Sequence, residues 1–192
     1  LSIIFFILAS WIVVSSIFEI AESILSNFKI RKKFKIQSKI LAQSLAHIGI
    51  ALLIYGATGS SILKEEKIQF QSSGEILNIR DFQVKFLGVK KVEGPNYISQ
   101  TGVFEIFENN KFLKTMKPEK RFYNAGQQTT TEAAIYSTLR GDLYIAIGDR
   151  NLKSLNNAWT TRIWFNPFTI WLWIGTFFLV LGGFISLTRK IK

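Results

Sequence analysis

Cysteine is absent from this 192-residue chain, and histidine and methionine occur once each, as His47 and Met116. Without cysteine there is no structural disulfide, no thiolate metal centre and no Cys-x-x-Cys-His haem attachment, so any redox chemistry must use a borrowed group. The chain opens at Leu1 with its only methionine at Met116, and we read it as a piece of something longer. Charge is missing over three long stretches. Leu1 to Phe18 has none, and Pro167 to Leu187 has none. Between Lys39 and Lys64 the only ionisable side chains are His47 and Tyr55.

Each run has the length and polarity of a membrane span, since roughly 20 apolar residues at about 1.5 Å each cross a hydrocarbon layer about 30 Å thick. A cleaved signal peptide is the competing reading of the first run, but no basic region precedes it and no small-residue cleavage site follows. Pro167 suits the first turn of a last helix. With 48% hydrophobic residues, 14% aromatic residues and a mean hydropathy of +0.21, the chain is too apolar for an ordinary soluble domain and too charged for a bare bundle. Membrane spans plus one extramembrane domain fit both.

Charge asymmetry orients the spans. Lys29, Arg31, Lys32, Lys33, Lys35 and Lys39 crowd one short connection without an acid, and Arg189, Lys190 and Lys192 close the chain. By the positive-inside rule both ends face the cytoplasm. The reading is therefore 1–25, a transmembrane helix with its N-terminus outside; 26–39, a basic cytoplasmic loop; and 40–59, a transmembrane helix carrying His47. Residues 60–164 form a β-rich domain on the far side, followed by a transmembrane helix at 165–187 and a cytoplasmic tail at 188–192. The far-side segment holds fifteen basic and eleven acidic side chains, so the overall charge of +11 reflects topology and not a nucleic-acid partner.

IQFQ, FQVKFLGV, VFEIFENNKFLKTM and LYIAIG alternate apolar and polar residues as half-buried strands do. Asn109-Asn110 supplies the left-handed conformations of a two-residue hairpin. Five to eight strands predict a small antiparallel barrel or sandwich. TTEAAIYSTLR (130–140) reads equally as a short helix or a strand.

A polar side chain inside a bilayer is costly and tends to face the bundle interior with a partner. On a helical wheel Gln43 and Ser44 fall near His47 as a buried stripe, while Ala42, Ala46 and Gly49 keep the helix slim. The imidazole suits metal or haem ligation, a proton relay or a structural hydrogen bond. Glu19 and Glu22 read as interfacial anchors, or as a proton route to quinone.

LAHIGIALLIYG (45–56), EGPNY (93–97), PEKRFY (118–123), TEAAI (131–135), DLYIAIGD (142–149), WTTRIWFNPFTIWLWIG (159–175) and LGGF (181–184) are distinctive as an ordered set. In that order they resemble the C-terminal part of the CcmF family, membrane components of the haem lyase in system I cytochrome c maturation. The resemblance implies that His47 is an axial ligand of a membrane b-type haem (haem b) that reduces the haem to be attached. The second axial ligand would come from outside this chain. It implies as partners membrane lipid, the missing upstream part of the same protein, a CcmH-type thiol protein, the haem chaperone CcmE, apocytochrome c and quinol. The ligation site itself would lie outside the fragment, so enzyme activity belongs to the whole complex. Trp171 and Trp173 read as an interfacial belt.

The bland reading of PEKR is a solvated turn, and the sharper one a docking surface using Lys120 and Arg121. GPNY reads as a turn, with Tyr97 as a partner contact. The expected location is the bacterial inner membrane with the β-domain in the periplasm, or alternatively the mitochondrial inner membrane. Two other roles stay open: a membrane-anchored scaffold that recruits maturation proteins, and a haem transport component.

Overall fold

A computed structural model describes residues 2–31, 36–151 and 158–190. Lys32, Lys33, Lys35 and Lys192 of the basic patches lie outside the described residues. The chain forms two compact units: a helical one of Leu1–Leu63, Leu139–Gly141 and Pro167–Lys192, and a β unit of Lys64–Thr138 and Asp142–Asn166.

In the helical unit, α1 (Ser2–Arg31), α2 (Ser38–Ile62) and α3 (Thr169–Lys190) are all long and apolar enough to cross a membrane. The first helix continues through Lys29 and Arg31, which sequence had assigned to a loop. Small residues decide how the helices meet. Ala42, Gly49 and Gly56 recur at intervals of seven along α2 and are buried. A Cβ on Gly49 would fall 2.7 Å from the Gly175 carbonyl, and one on Gly182 would fall 2.7 Å from the Ala42 carbonyl. Such distances leave no room for a side chain, so α2 and α3 touch backbone to backbone, as small residues allow in lipid.

A second seven-residue series, Ser44, Ala51 and Thr58, is also buried. It lies two residues on from the first series, about 200° round the helix at about 100° per residue. That face meets α1, whose own buried series is Ala9, Ser16 and Ser23. Tyr55 shares a short hydrogen bond with Ser10, and the Gln37 amide donates to Ser23 Oγ at 3.4 Å, so α1 and α2 run antiparallel.

The β unit is an antiparallel sandwich of ten strands among the described residues. They are β1 (Glu65–Gln71), β2 (Ile76–Ile79), β3 (Phe82–Glu93), β4 (Tyr97–Glu108), β5 (Lys111–Met116), β6 (Glu119–Tyr123), β7 (Gln128–Glu132), β8 (Ala134–Thr138), β9 (Gly141–Arg150) and β10 (Trp159–Pro167). One sheet has the order β1-β10-β9-β8. The other has β2-β3-β4-β6-β7, with β5 on β4 beyond the end of β6. The sandwich thus decides between the two expected architectures.

Alternation along the strands aims Val84, Phe86, Phe104 and Ile106 of one sheet at Leu143, Ile145, Ile147 and Ile163 of the other. Phe82 meets Phe165 across the gap with ring centroids 5.9 Å apart. Burying an aromatic of this size contributes roughly 2–3 kcal/mol. The inward pattern of β3 survives a bulge between Phe86 and Gly88, where Gly88 adopts φ +130° and Leu87 is displaced outward.

Asn109 and Asn110, with φ +51° and +61°, make the expected hairpin. TTEAAIYSTLR resolves into two strands, β7 and β8, one in each sheet, with Ala133 between them. Two expectations are corrected. Pro167 ends β10 and does not start α3: β10 pairs with β1 from Trp159 to Phe165, and the reversal is made by Phe168 at φ +60°. PEKR is not a turn, because Glu119, Lys120 and Arg121 pair with both β4 and β7. Only Pro118 stands outside β6, its carbonyl accepting from the Gly102 amide at 2.9 Å.

The two adjacent glycines of LGGF differ in surroundings, since a Cβ on Gly183 meets nothing within 4 Å. Gly182→Leu is therefore expected to destabilise the helical unit by about 1–3 kcal/mol through overpacking, and Gly183→Leu to leave it nearly unchanged. Thermal unfolding of the complete protein in detergent, with the two variants side by side, checks the contrast.

Candidate functional site

The two seams of α2 leave a third stripe. Gln43, His47 and Ile50 fall between the face on α3 and the face on α1, and all three are exposed on the surface of the helical unit. The expected buried stripe is thus corrected. Of its members only Ser44 is buried, and its hydroxyl has no partner among the described residues. The reason is geometric: Ser44 belongs to the α1 seam, whereas His47 is about 60° away from it on the wheel.

His47 and Ile50 line an open groove of about 300 Å³ with Trp11, Ile12, Ser15 and Glu19 of α1. The imidazole makes no hydrogen bond among the described residues. No three His, Cys, Asp or Glu side chains converge as a metal site among those residues. An iron bound at His47 would complete its ligand set from outside this chain. An unengaged imidazole beside apolar walls fits an axial ligand, which needs one free ring nitrogen.

Glu19 also borders a larger groove of about 750 Å³ with Glu22, Ser26, Lys39 and Gln43. Sequence spacing gave no hint that Glu19 and His47 share a groove. The signal was the antiparallel register of α1 on α2, which a hairpin-like reading of the short basic connection could have supplied. Trp171 lines a separate apolar crevice with Val13, Val14 and Leu52, and Trp173 is exposed on α3.

On the sandwich the expected contact residues are brought close but not onto one face. Arg121 and Lys120 are neighbours on β6 and point to opposite sides. Lys120 is paired with Asp149 of β9, in the other sheet, and ties the two sheets together at that end. Arg121 lies on the outer face, 2.7 Å from the Glu119 carboxylate and 4.5 Å from the Tyr97 ring centroid. The Glu119 and Tyr123 contacts push the Arg121 guanidinium up from its ordinary value. Tyr97 packs on Tyr123 at 5.4 Å and covers Gly94 at the GPNY turn, where the Gly94 amide donates to the Tyr97 carbonyl at 2.9 Å. Glu132 accepts a hydrogen bond from Thr130 at 3.0 Å.

A second surface group, on the sheet containing β1, was not anticipated. Tyr144 and Trp164 stack at 5.2 Å with an interplanar angle of 9°, and Arg162 and Lys64 lie over the Trp164 ring at 5.2 and 5.9 Å. Both cations also bind Glu66, Lys64 at 3.0 Å. Hydrogen bonds from Arg162 and then Lys64 hold the Glu66 carboxyl below its ordinary range. Burial, with the Asp142 carboxylate beside it, pushes the Tyr144 hydroxyl up.

Three helices of membrane-spanning length with an antiparallel sandwich inserted between the second and third define a membrane-anchored β-sandwich protein. The family described as CcmF C-terminal beta-sandwich matches residues 62–167, more than half of the chain. The chain belongs to the CcmF family. Among curated relatives, the cytochrome c-type biogenesis protein CcmF of Haemophilus influenzae is 36% identical over 143 residues, covering 74% of this chain and 22% of that protein. The CcmF of Escherichia coli K12 is 31% identical over 180 residues, covering 94% of this chain and 26% of that protein. The chain thus spans about a quarter of the length of these relatives. A solved structure of the cytochrome c haem lyase CcmF shares the fold, with a TM-score of 0.61 at 13% identity over 77% of this chain and 24% of that one.

The Glu66 cluster yields a pH signature. A folded-state pKa below the unfolded one adds stability at neutral pH, and that contribution is lost as pH falls through the folded value. Glu66→Gln should lower stability at pH 7 by about 0.5 kcal/mol, the scale of an exposed ion pair. The difference from native should vanish in acid. Unfolding midpoints of both proteins across that range test it.

Proposed function

We propose that this chain is the C-terminal part of a membrane haem lyase component in cytochrome c maturation, with His47 providing one axial ligand to a b-type haem. The observation that carries the reading is His47 itself: the sole histidine, midway along a span, exposed at a groove with no hydrogen-bond partner among the described residues. An imidazole left unpaired in hydrocarbon is costly, so its partner is supplied from beyond this chain. A haem bound there supplies one-electron transfer, used to reduce the haem that is to be attached to apocytochrome c.

The residues of this chain hold and surround that site. The glycine seam with α3 and the seam of small residues with α1 fix α2 between those helices, which keeps the His47 ring turned to the free side. Trp11, Ile12 and Ile50 give the groove apolar walls, and Glu19 is the one carboxylate that borders it among the described residues. The second axial ligand and the ligation site belong to the remaining three quarters of a protein of the relatives' length. The proposed location is the bacterial inner membrane, with the sandwich in the periplasm, where it would meet a CcmH-type thiol protein, CcmE and apocytochrome c. On the sandwich, Tyr97 and Arg121 would offer the contact surface, and Lys120 would act within the fold.

The reading is tested by the dithionite-reduced minus oxidised spectrum of the complete protein that contains this segment. A b-type signal is expected in the native form and is expected to be lost in His47→Ala; identical spectra at equal protein would refute ligation. Cytochrome c yield separates the haem site from a scaffold. His47→Gln keeps a hydrogen-bonding side chain but is a poor iron ligand, so yield should collapse at unchanged protein level. Normal yield would favour the scaffold.

A further inference from the structure

We infer that Glu19 is a positioning residue for the axial histidine: its carboxylate accepts the His47 ring N–H that is turned away from iron and thereby lowers the reduction potential of the haem. The inference rests on the haem reading of His47 and adds to it a residue on a different helix. A neutral imidazole that gives one nitrogen to iron carries an N–H on the other, and within a bilayer that N–H needs an acceptor. The groove at His47 supplies few. Among the described residues that line it, Trp11, Ile12 and Ile50 offer no side-chain acceptor, which leaves Ser15 and Glu19.

Register and side-chain direction choose between these two. The Ser10–Tyr55 hydrogen bond and the Gln37 amide on Ser23 Oγ fix α1 antiparallel to α2. Between those contacts His47 falls roughly level with Ser15 and Ser16, and Glu19 lies about one turn nearer the start of α2. Helical side chains lean toward the N-terminus of their own helix. In an antiparallel pair the leanings oppose, so His47 leans toward the level of Glu19 and Glu19 leans back toward the level of His47. Ser15 leans away from the ring. Lys39, which shares the wider groove with Glu19, sits about two turns before His47 and leans toward the start of α2, away from the carboxylate. Neither Glu19 nor His47 has a hydrogen bond or ion pair among the described residues. Each is costly alone in a span, and each satisfies the other. A carboxylate on the outer N–H of a ligating histidine holds the ring orientation and raises the basicity of the ligating nitrogen, which favours ferric over ferrous iron.

The test is a potentiometric titration of the b-type signal in the complete protein, native beside Glu19→Gln, Glu19→Asp and Glu22→Gln, with electron paramagnetic resonance of the ferric haem on the same samples. Glu19→Gln keeps the shape and removes the charged acceptor. It should shift the ferric-to-ferrous equilibrium about tenfold toward ferrous haem, which for one electron raises the potential by about 59 mV. The ferric g values should move with it, because the iron–imidazole bond itself changes. Glu22→Gln removes the same charge from the wider groove alone and should shift the equilibrium by less than about twofold.

An unchanged potential in Glu19→Gln overturns the assignment. So does an equal shift in Glu22→Gln, or a shifted potential with native g values, since the charge would then act through space and not through the ring. Should Glu19→Gln fail to give folded protein, Glu19→Asp decides: it withdraws the carboxylate by one methylene and should move both readouts in the same direction, and native values there refute the contact. A b-type signal that survives in His47→Ala takes the haem away from this histidine, and both readings fall. A signal lost in His47→Ala but unmoved in Glu19→Gln refutes the role of Glu19 alone.

Discussion

Backbone contact between α2 and α3 is the constraint from which the helical unit follows. Gly49, Gly175 and Gly182 each stand where a Cβ would lie within 3 Å of a facing backbone atom, so the two helices approach as closely as main chains can. In lipid there is no hydrophobic gain from merely bringing apolar helices together, and packing of this kind is what holds them. It also fixes the rotation of α2 about its own axis. With one face set against α3 and the opposite face against α1, the stripe of Gln43, His47 and Ile50 has nowhere to point but away from both. The histidine is placed by glycines that never touch it.

The sandwich shows the same logic in a different medium. On β6 the strict alternation of side chains separates Lys120 from Arg121, and the sheet order sends Lys120 across to Asp149 while Arg121 stays outside with Tyr97 and Glu119. Two adjacent cations that sequence groups together thus have different tasks, one joining the sheets and one dressing a surface. The Trp164 cluster, built from β1, β9 and β10, draws residues nearly a hundred positions apart into one charged and aromatic group.

Much of this was legible in the chain. The absence of charge over three long runs announces the spans, because an apolar helix of that length has few other stable environments. Period-two alternation in FQVKFLGV and LYIAIG marks strands because only a two-sided sheet sorts residues in that way, and Asn109-Asn110 marks a hairpin because both adopt positive φ. The readings that changed are those set by pairing partners. Pro167 looked like a helix start, but β1 captures the residues before it; PEKR looked like a turn, but β4 and β7 hold it as a strand.

The sequence by itself determined the number of spans, the β character of the segment between the second and third, and His47 as the sole histidine, placed within a span. Those properties are local: they depend on hydropathy, period and residue chemistry along a continuous stretch. The tertiary structure alone decided the closing of the strands into a sandwich and the exposure of His47 beside Glu19. Each depends on how far one element is rotated against another, and a single wheel or strand pattern does not contain the partner that sets that rotation.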